Sequence, residues 1–197
     1  MNTYLTEEER MILEEPKIGI AGAGGLGSNC AMHLVRAGVK RLVIADFDVV
    51  SESNLNRQFF FRDQLGMKKV EALKANLLRI SPESEIETAD VRLDAASMRR
   101  LFSDCPIVVE ALDGVDAKVM LLGAFVGGGK KIVTASGLAG WGRSNAIRLR
   151  KMGRDVVVIG DGETGVASDA APASPRVGIA AAMQANAVVA MLLKKEL

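Results

Sequence analysis

A glycine-rich turn joins a short apolar run to a helix-like segment near the start of the chain, and it restricts the possible folds more than any other feature. The apolar run Lys17–Ala21 predicts a strand, and residues 28–37 have the spacing of a helix that ends at Gly38. Residues 41–45 form a second β-branched run, which Asp46 ends. This order predicts a βαβ unit, whose parallel strands require a right-handed crossover.

Strand-like and helix-like segments alternate through the first two thirds of the chain. This alternation predicts an α/β fold, a Rossmann-like and mainly parallel sheet with helices on both faces. Residues 144–150 and 155–160 predict a hairpin, an antiparallel C-terminal extension of the sheet. Ser174 as N-cap and Pro175 at the first helical position predict a last, alanine-rich helix. The remaining predicted strands are 86–91, 106–111 and 131–135, and the remaining predicted helices are 68–80, 94–102 and 115–126.

Length and composition bound the domain organisation and the function class. The chain has 197 residues, 49% of them hydrophobic, and we expect a single domain over residues 1–197 with a helical lead segment at 1–15. Lys and Arg total 25 and Asp and Glu total 24, so the net charge of +1 gives no long-range attraction to nucleic acid or to an anionic membrane. No stretch approaches the roughly 18 apolar residues of a membrane span, and the acidic N-terminus lacks the pattern of a signal peptide. We therefore expect a cytoplasmic protein that binds neither nucleic acid nor a membrane.

The chain is poor in side chains for metal binding or acid–base chemistry. Its one histidine, His33, and its two cysteines, Cys30 and Cys105, cannot form a four-ligand Cys/His site, so no zinc is expected. Cys30 and His33 lie three residues apart on a predicted helix, and helix packing explains them better than a metal does. Any reaction of this chain is therefore expected to need no histidine base.

The glycine-rich turn has the context of a dinucleotide-type fingerprint, because it follows a strand and opens a helix. Glycines let the backbone approach an anion, which the N–H groups of the helix N-terminus can hold, although a tight turn without a ligand has the same pattern. Asp46 ends the second strand at the spacing expected of a carboxylate that accepts hydrogen bonds from ribose hydroxyls. Asp48 could take this role instead, and Asp46 could also be a turn residue that ends the strand. The residues of the glycine loop expected to contact a nucleotide are Gly22, Gly24, Gly25, Leu26 and Gly27.

Cationic and amide side chains follow the second strand. They are Asn54, Arg57 and Gln58, and then Lys68 and Lys69 at the start of a predicted helix. Cations at a helix N-terminus oppose the helix dipole, which indicates that they face an anion, and a solvated lysine pair is the alternative. Cleavage of a phosphoanhydride builds negative charge on the leaving pyrophosphate and needs such cations or a metal, whereas the pyrophosphate of NAD stays intact. The cluster therefore favours ATP chemistry over an NAD(P)-dependent oxidoreductase.

Together these motifs resemble the ThiF/MoeB/HesA family of adenylating enzymes for ubiquitin-like sulfur carriers. The resemblance covers about residues 17–141, the last helix looks similar, and the short chain is most like the compact ThiF proteins of thiamine synthesis. It is carried by the glycine run with Ser28, by Asp46-Phe47-Asp48 with Val50, by Ser53-Asn54-Leu55-Asn56-Arg57-Gln58, and by Gly66 with Lys69-Val70-Glu71.

The resemblance implies a nucleotidyltransferase that uses ATP and Mg²⁺. Its substrate would be the C-terminal Gly-Gly carboxylate of a ThiS-type carrier, or else a molybdopterin carrier or an RNA-linked carboxylate, and the enzyme would be a homodimer. The glycine loop and Asp46 would hold the nucleotide, the 54–58 segment would face the phosphates, and Arg57, Lys69 and Asp113 would be the catalytic residues, with Asp113 as the Mg²⁺ ligand. Independently, Asp113 ends a predicted strand at the sheet edge where open α/β sheets bind ligands, although it could also be a helix N-cap.

The chain departs from the family pattern in its cysteines. It lacks the two Cys-x-x-Cys pairs that hold zinc in ThiF and MoeB relatives, and no cysteine follows Cys105. Adenylation without covalent sulfur transfer is therefore the expectation. Arg10 is the one counterpart of a family arginine that reaches into the partner subunit, and an intrahelical ion pair explains it as easily.

Three later features each have two interpretations. The glycine-rich segment 136–142 suits either a turn or a groove for an extended Gly-Gly tail. Trp141 is either a hydrophobic anchor for the carrier or a cap on the core. Asp169 either stabilises a turn, which we favour, or helps to bind a metal.

Overall fold

The computed structural model describes residues 4–165 and 171–197, and these residues form one sheet with helices on both of its faces. The helices are α1 (Glu7–Glu14), α2 (Gly25–Ala37), α3 (Lys69–Ile80), α4 (Ala95–Leu101), α5 (Val115–Phe125) and α6 (Ser174–Leu192). The strands are β1 (Lys17–Ala21), β2 (Arg41–Asp46), β3 (Glu85–Asp90), β4 (Ile107–Glu110), β5 (Lys131–Ala135), β6 (Arg148–Met152) and β7 (Val156–Gly160). Short 3₁₀ turns lie at Glu52–Asn54, Arg62–Gln64 and Ser144–Ala146.

The seven strands are arranged in the order β3-β2-β1-β4-β5-β7-β6. All neighbours are parallel except β6 and β7, which form the antiparallel hairpin at one end. The predicted α/β class, Rossmann-like sheet and antiparallel extension are therefore confirmed. Strand order reverses between β1 and β4, and open α/β sheets bind ligands beside such a reversal, at the carboxyl ends of the strands.

Two hydrophobic clusters cover the two faces of the sheet. The first joins β1 and β2 to α2, α3 and α6 and includes Ile20 and Leu34. The second joins the opposite face to α4 and α5, where the rings of Phe102 and Phe125 pack edge to face with centroids 6.3 Å apart. Gly19 allows this packing, because a Cβ there would lie 2.7 Å from a ring carbon of Phe102. Central strands buried on both faces explain their continuous apolar runs.

Several local predictions differ from the structure. α2 begins at Gly25, because the last three residues of the glycine loop already form its first helical turn. The predicted N-cap Ser174 lies inside α6, and Ala173 is the cap, since its carbonyl accepts the N–H of Val177 at 3.0 Å. His33 is half-buried instead of lying in the core, and burial, followed by the charge of Arg36, lowers its pKa.

α6 was not expected to be apolar enough for a membrane span. Within the described residues it is nevertheless the one helix long and apolar enough to cross a membrane by length and composition alone. Nine of its residues are buried, its alanines pack in the core beside α2, and Gln184 donates to the carbonyl of Glu110 at 3.1 Å. These contacts are those of a core helix in an α/β fold.

Both edge strands carry exposed charges. Exposed acidic side chains lie on β3 at Glu85, Glu87 and Asp90, and exposed basic side chains lie on β6 at Arg148, Arg150 and Lys151. Charged side chains on an edge strand discourage pairing with another sheet.

Candidate functional site

A cavity of about 390 Å³ opens where β1, β2 and β4 end, beside the reversal of strand order. Its walls come from the glycine loop, the segment after β2, the segment after β3 and the start of α5. Of the residues predicted from the sequence, those that line it are Gly22, Gly24, Asp46, Asp48, Lys69 and Asp113. The fold therefore brings carboxylates, a lysine and a helix N-terminus to one concave site.

The glycines of the loop have two different physical roles. Gly22 has a φ of +101°, and a Cβ on Gly27 would lie 1.8 Å from the carbonyl oxygen of Gly22, so both are required for the loop to close. Gly24, the N-cap of α2, has an extended backbone with φ −77° and ψ −152°, and a Cβ there would meet nothing closer than the Nε2 of Gln58 at 3.9 Å. Gly24 therefore leaves space in the cavity beside the N-terminus of α2. In the described part of the chain no side chain caps this N-terminus, which leaves its N–H groups available to an anion.

Asp46 connects the end of β2 to the glycine loop. One carboxylate oxygen accepts the N–H of Ala23 at 2.6 Å, and the other accepts the N–H of Asp48 at 2.8 Å. Each oxygen keeps a further lone pair, so the carboxylate can also accept a hydrogen bond from a ligand hydroxyl. Asp46 is thus held rigidly at the cavity wall, in the position expected of a ribose-binding carboxylate.

Lys69 is buried at the first position of α3, and its ammonium group lies 2.8 Å from the carboxylate of Asp48. The Asp48 carbonyl also accepts the N–H of Lys69 at 2.9 Å, which fixes the two residues side by side. A buried ammonium without a partner is costly, so Asp48 stabilises Lys69 in the absence of a ligand. Lys68 differs, because it pairs with Asp90 and does not line the cavity. The alternative of a solvated pair therefore does not describe Lys69.

Asp113 follows β4 on the opposite wall of the cavity. Its side chain is exposed and has no hydrogen bond or ion pair to any described residue, so it does not cap α5, whose N-cap is Gly114. Across the described residues, no group of three or more His, Cys, Asp or Glu side chains is arranged to hold a metal ion. Asp116 in the first turn of α5 is a second cavity carboxylate that is exposed and has no hydrogen bond or ion pair to any described residue. Mg²⁺ commonly binds through one or two carboxylates plus substrate phosphates, so these two carboxylates fit a metal that arrives with a nucleotide.

The other predicted phosphate-facing residues do not line the cavity, and two of them, Arg57 and Gln58, lie beside the glycine loop. Arg57 packs its aliphatic stem on Gly25, where a Cβ would lie 3.5 Å from its Cγ, and its guanidinium donates to Asn56 at 2.8 Å. Asn54 accepts the N–H of Ser51 at 3.0 Å, which closes a local turn. Gln58 lies near Gly24 with its Oε1 buried and, in the described structure, unpaired. Arg57 and Gln58 are thus close to the α2 N-terminus, but a ligand that contacts them must extend out of the cavity.

Two side-chain groups at the site were given no role by the sequence, although Ser28 belongs to the run that carries the resemblance. Ser28 donates to the carbonyl of Gly24 at 2.6 Å and accepts the N–H of Phe59 at 3.0 Å, which joins the glycine loop to the segment that carries Arg57. At the cavity mouth the guanidinium of Arg92 lies 3.9 Å from the ring centroid of Phe47. No spacing in the sequence indicates that Arg92 lies at the site. For Ser28 the available signal is that a polar residue stands at the start of an otherwise apolar helix.

The segment after β5 lies at the same edge of the sheet, because β5 is the parallel neighbour of β4. Positive φ angles at Gly137, Gly140 and Gly142 make it a winding loop. Trp141 is 77% exposed on this loop, so the core-cap interpretation is wrong and the anchor interpretation stays a prediction. Asp169 lies outside the described residues. Arg10 is exposed on α1 and has no ion pair within the described residues, contrary to the intrahelical interpretation.

Comparison with known proteins gives one consistent result. The family model described as "ThiF family" matches residues 2–197. The adenylyltransferase and sulfurtransferase UBA4 of Candida glabrata is 35% identical over 142 residues, which are 72% of this chain and 33% of that protein. The molybdopterin-synthase adenylyltransferase of Haemophilus influenzae is 39% identical over 110 residues, which are 55% of this chain and 45% of that protein. The matched region therefore spans less than half the length of these relatives.

Solved structures extend the likeness of fold to almost the whole chain. The Escherichia coli tRNA N6-threonylcarbamoyladenosine dehydratase in complex with ATP superposes with a TM-score of 0.87 at 20% sequence identity. The superposition covers 95% of this chain and 90% of that one. At this level of identity the likeness concerns the fold.

Proposed function

This chain belongs to the ThiF family, and we propose that it is an adenylyltransferase that uses ATP to activate the C-terminal Gly-Gly carboxylate of a small ubiquitin-like sulfur carrier of the ThiS type. The observation that carries the proposal is the cavity at the carboxyl ends of β1, β2 and β4. It combines an uncapped helix N-terminus and a buried lysine with two carboxylates, Asp46 and Asp113, that have lone pairs to offer. A nucleoside triphosphate has groups that suit each of these.

The expected reaction needs little proton transfer. A carboxylate oxygen of the carrier attacks the α-phosphorus of ATP, the bond between that phosphorus and the bridging oxygen breaks, and pyrophosphate leaves with the electron pair. The attacking carboxylate is ionised at neutral pH, so no general base is required. The requirement is for positive charge near the phosphates, which Lys69, Arg57 and the α2 N-terminus supply.

The nucleotide is expected to lie with its ribose at Asp46 and its phosphates over the α2 N-terminus, towards Arg57. The position of Arg57 beside Gly25, outside the cavity, supports phosphates that extend past the loop. Mg²⁺ bound with ATP would neutralise phosphate charge, and Asp113 would hold it, with Asp116 as a second free carboxylate of the cavity. Asp48 is expected to release Lys69 when the phosphates arrive.

Adenylation alone, without sulfur transfer by this chain, is the chemistry its cysteines support. Both Cys30 and Cys105 are buried. Burial raises the pKa of the Cys30 thiol and, as the largest cause, raises that of Cys105 to about 11. Neither thiol is therefore an accessible thiolate at neutral pH.

The ThiS-type carrier is the finer part of the proposal and rests on the resemblance of the motifs to the ThiF proteins of thiamine synthesis. The molybdopterin-synthase adenylyltransferase of Haemophilus influenzae makes a MoaD-type carrier the second candidate. A homodimer is expected as well, with Arg10 free to reach a second copy. No nucleic acid or membrane is needed for the proposed reaction.

The test is ATP–pyrophosphate exchange with a panel of purified ThiS-type and MoaD-type carriers. We expect exchange that requires Mg²⁺ and a carrier with an intact Gly-Gly end, and that is fastest with the ThiS-type protein. Arg57→Ala, Lys69→Ala and Asp113→Ala should each lower the exchange rate by at least about 100-fold, an effect typical of losing one transition-state contact.

Neighbouring residues provide matched controls for these variants. Lys68→Ala and Arg62→Ala each remove a cation from the same segments, but these side chains pair with Asp90 and Glu52 and do not line the cavity. Both controls should retain exchange within about twofold. Absence of exchange with every carrier would refute the proposed function, whereas exchange that survives in all three site variants would refute the site alone.

A further inference from the structure

Arg176 is a charged residue buried in an apolar helix. It lies in the first turn of α6 and is 2% exposed, although most of that helix consists of alanine and aliphatic residues. Its guanidinium lies 2.7 Å from the carboxylate of Asp161, which follows β7 and is also buried. A buried arginine in such a helix requires an explanation, because apolar side chains of similar size usually stabilise a core at least as well as a buried ion pair does.

The second set of contacts made by Arg176 is to the backbone of the loop that follows β5. Its Nη1 donates to the carbonyl of Gly142 at 2.7 Å and to that of Arg143 at 3.3 Å. Arg143 has a φ of +46°, a left-handed conformation that few residues with a side chain adopt. The guanidinium therefore holds a strained end of this loop, hereafter the 136–143 loop.

Asp161 holds the other end of the 136–143 loop. A Cβ on Gly137 would lie 2.1 Å from its Oδ1, so the loop starts in direct contact with this carboxylate. The same oxygen accepts the N–H groups of Glu163 and Thr164, both at 2.9 Å. The Arg176–Asp161 pair thus joins both ends of the 136–143 loop to β7 and α6.

The 136–143 loop lies next to the candidate adenylation site. It follows β5, the parallel neighbour of the strand that leads to Asp113. Lys118 connects the two, because its Nζ pairs with the Glu110 carboxylate at 2.8 Å and donates to the Ala135 carbonyl at 3.3 Å. A peptide tail that reaches the cavity from this side must pass along the loop.

We propose that Arg176 is a positioning residue for the carrier: with Asp161 it fixes the 136–143 loop as a rigid wall along which the extended Gly-Gly tail lies. This inference rests on the proposed function. A Gly-Gly tail has no side chains to fill pockets, and it loses more backbone entropy on ordering than any other dipeptide does. A preorganised wall lowers the entropic cost of binding such a tail, because the loop that forms the wall loses no further conformational entropy when the tail binds.

The test compares kinetic constants for the two substrates of pyrophosphate exchange. Arg176→Met with Asp161→Asn removes the charges together and keeps an acceptor oxygen for the turn at Glu163 and Thr164. We expect the KM for a recombinant ThiS-type carrier to rise about tenfold while the KM for ATP stays within twofold. Arg176→Lys should give an intermediate KM, since an ammonium can reach Asp161 but cannot also reach the loop carbonyls as a fork does. Arg79→Met, an exposed arginine on α3, is the control and should leave both constants unchanged.

A second readout follows the loop directly. Trp141 is the only tryptophan of the chain, so its fluorescence anisotropy decay reports motion of the 136–143 loop without a carrier. We expect faster local motion in the double variant than in the wild type and the Arg79→Met control.

The outcomes separate this inference from the proposed function. A carrier KM within twofold of the wild-type value would overturn the positioning role, and so would a parallel rise in the KM for ATP, which a general structural role predicts. Unchanged anisotropy decay of Trp141 in the double variant would also overturn it. If the wild type shows no exchange with any carrier, the proposed function fails, and the positioning role fails with it. A failure of the positioning role alone would leave wild-type exchange intact.

Discussion

Substitution of two neighbouring glycines by alanine should separate the folding role of the glycine loop from its ligand-binding role. Gly27→Ala places a Cβ 1.8 Å from the carbonyl oxygen of Gly22, whereas Gly24→Ala places one no closer than 3.9 Å to any atom outside the adjoining backbone. The same added methyl group therefore strains the loop at one position and only occupies cavity space at the other.

The expected change in stability follows from these distances. For Gly27→Ala the loop must open by about 1 Å, and overpacking of this kind costs about 3 kcal/mol. Alanine regains about 1 kcal/mol as the better helix former, so the net loss in the free energy of unfolding is about 2 kcal/mol. Gly24 is the N-cap of α2, with φ −77° and ψ −152°. Alanine is a poorer N-cap than glycine, but it lowers the entropy of the unfolded chain, and these two effects on stability have opposite signs. The free energy of unfolding of Gly24→Ala should therefore change by less than about 0.5 kcal/mol.

The assays are urea unfolding and calorimetric titration with ATP. With a urea m-value of about 2 kcal/mol/M, the midpoint of Gly27→Ala should fall by about 1 M. Gly24→Ala should keep the wild-type midpoint but bind ATP at least about tenfold more weakly, a loss of about 1.4 kcal/mol, because its methyl group occupies the approach to the α2 N-terminus.

Two results would refute this reasoning. A folded Gly24→Ala variant with wild-type affinity for ATP would mean that the nucleotide does not approach the glycine loop. A wild-type urea midpoint for Gly27→Ala would mean that the loop is not closed as the structure has it.

Three further predictions concern single side chains. Asp48→Asn should strengthen binding of inorganic tripolyphosphate by about threefold in calorimetry, because it removes the negative charge that pairs with Lys69; weaker binding would contradict this. Trp141→Ala should raise the KM for the carrier about tenfold with no change in melting temperature, since the ring is exposed, and an unchanged KM would exclude the anchor role. Burial alone would raise the pKa of Asp161, but the N–H groups of Thr164 and Glu163 and the charge of Arg176 outweigh it and lower that pKa to about 2. A lowered pKa in the folded state stabilises the protein above about pH 4, and this contribution of about 2 kcal/mol is lost as the pH falls towards 2. Urea unfolding from pH 6 to pH 2 should therefore show a shallower acid dependence for Asp161→Asn than for the wild type, and equal slopes would contradict the assignment.

The order of elements could be predicted from the sequence because each central strand is a short apolar run bounded by glycine or a polar residue. The glycine loop is recognisable because two of its positions accept only glycine. Gly22 has a φ of +101°, and a Cβ on Gly27 would lie 1.8 Å from the Gly22 carbonyl oxygen. Helix starts were less predictable: α2 begins inside the glycine run, and α6 begins at Ser174 because the buried Ala173 occupies the cap.

The site was predictable where strands end and unpredictable where loops turn. Asp46 is the last residue of β2 and Asp113 follows β4, and the parallel sheet brings such residues to one edge. The path of the loop that carries Arg57 depends on contacts from Ser28 and on the donation of Asn29 to the Arg57 carbonyl at 2.9 Å. Such contacts cannot be predicted from sequence spacing, and neither can the ion pair between Arg176 and Asp161.

One edge strand limits how copies of this chain can associate. The acidic side chains of β3 are neutralised by ion pairs with Lys17, Arg41 and Lys68, whereas the basic side chains of β6 have no carboxylate partner among the described residues. A symmetric dimer that continued the sheet at β6 would therefore place like charges opposite each other across the two-fold axis. Two-fold association by sheet extension is expected to be disfavoured at the β6 edge, where each copy repels the other.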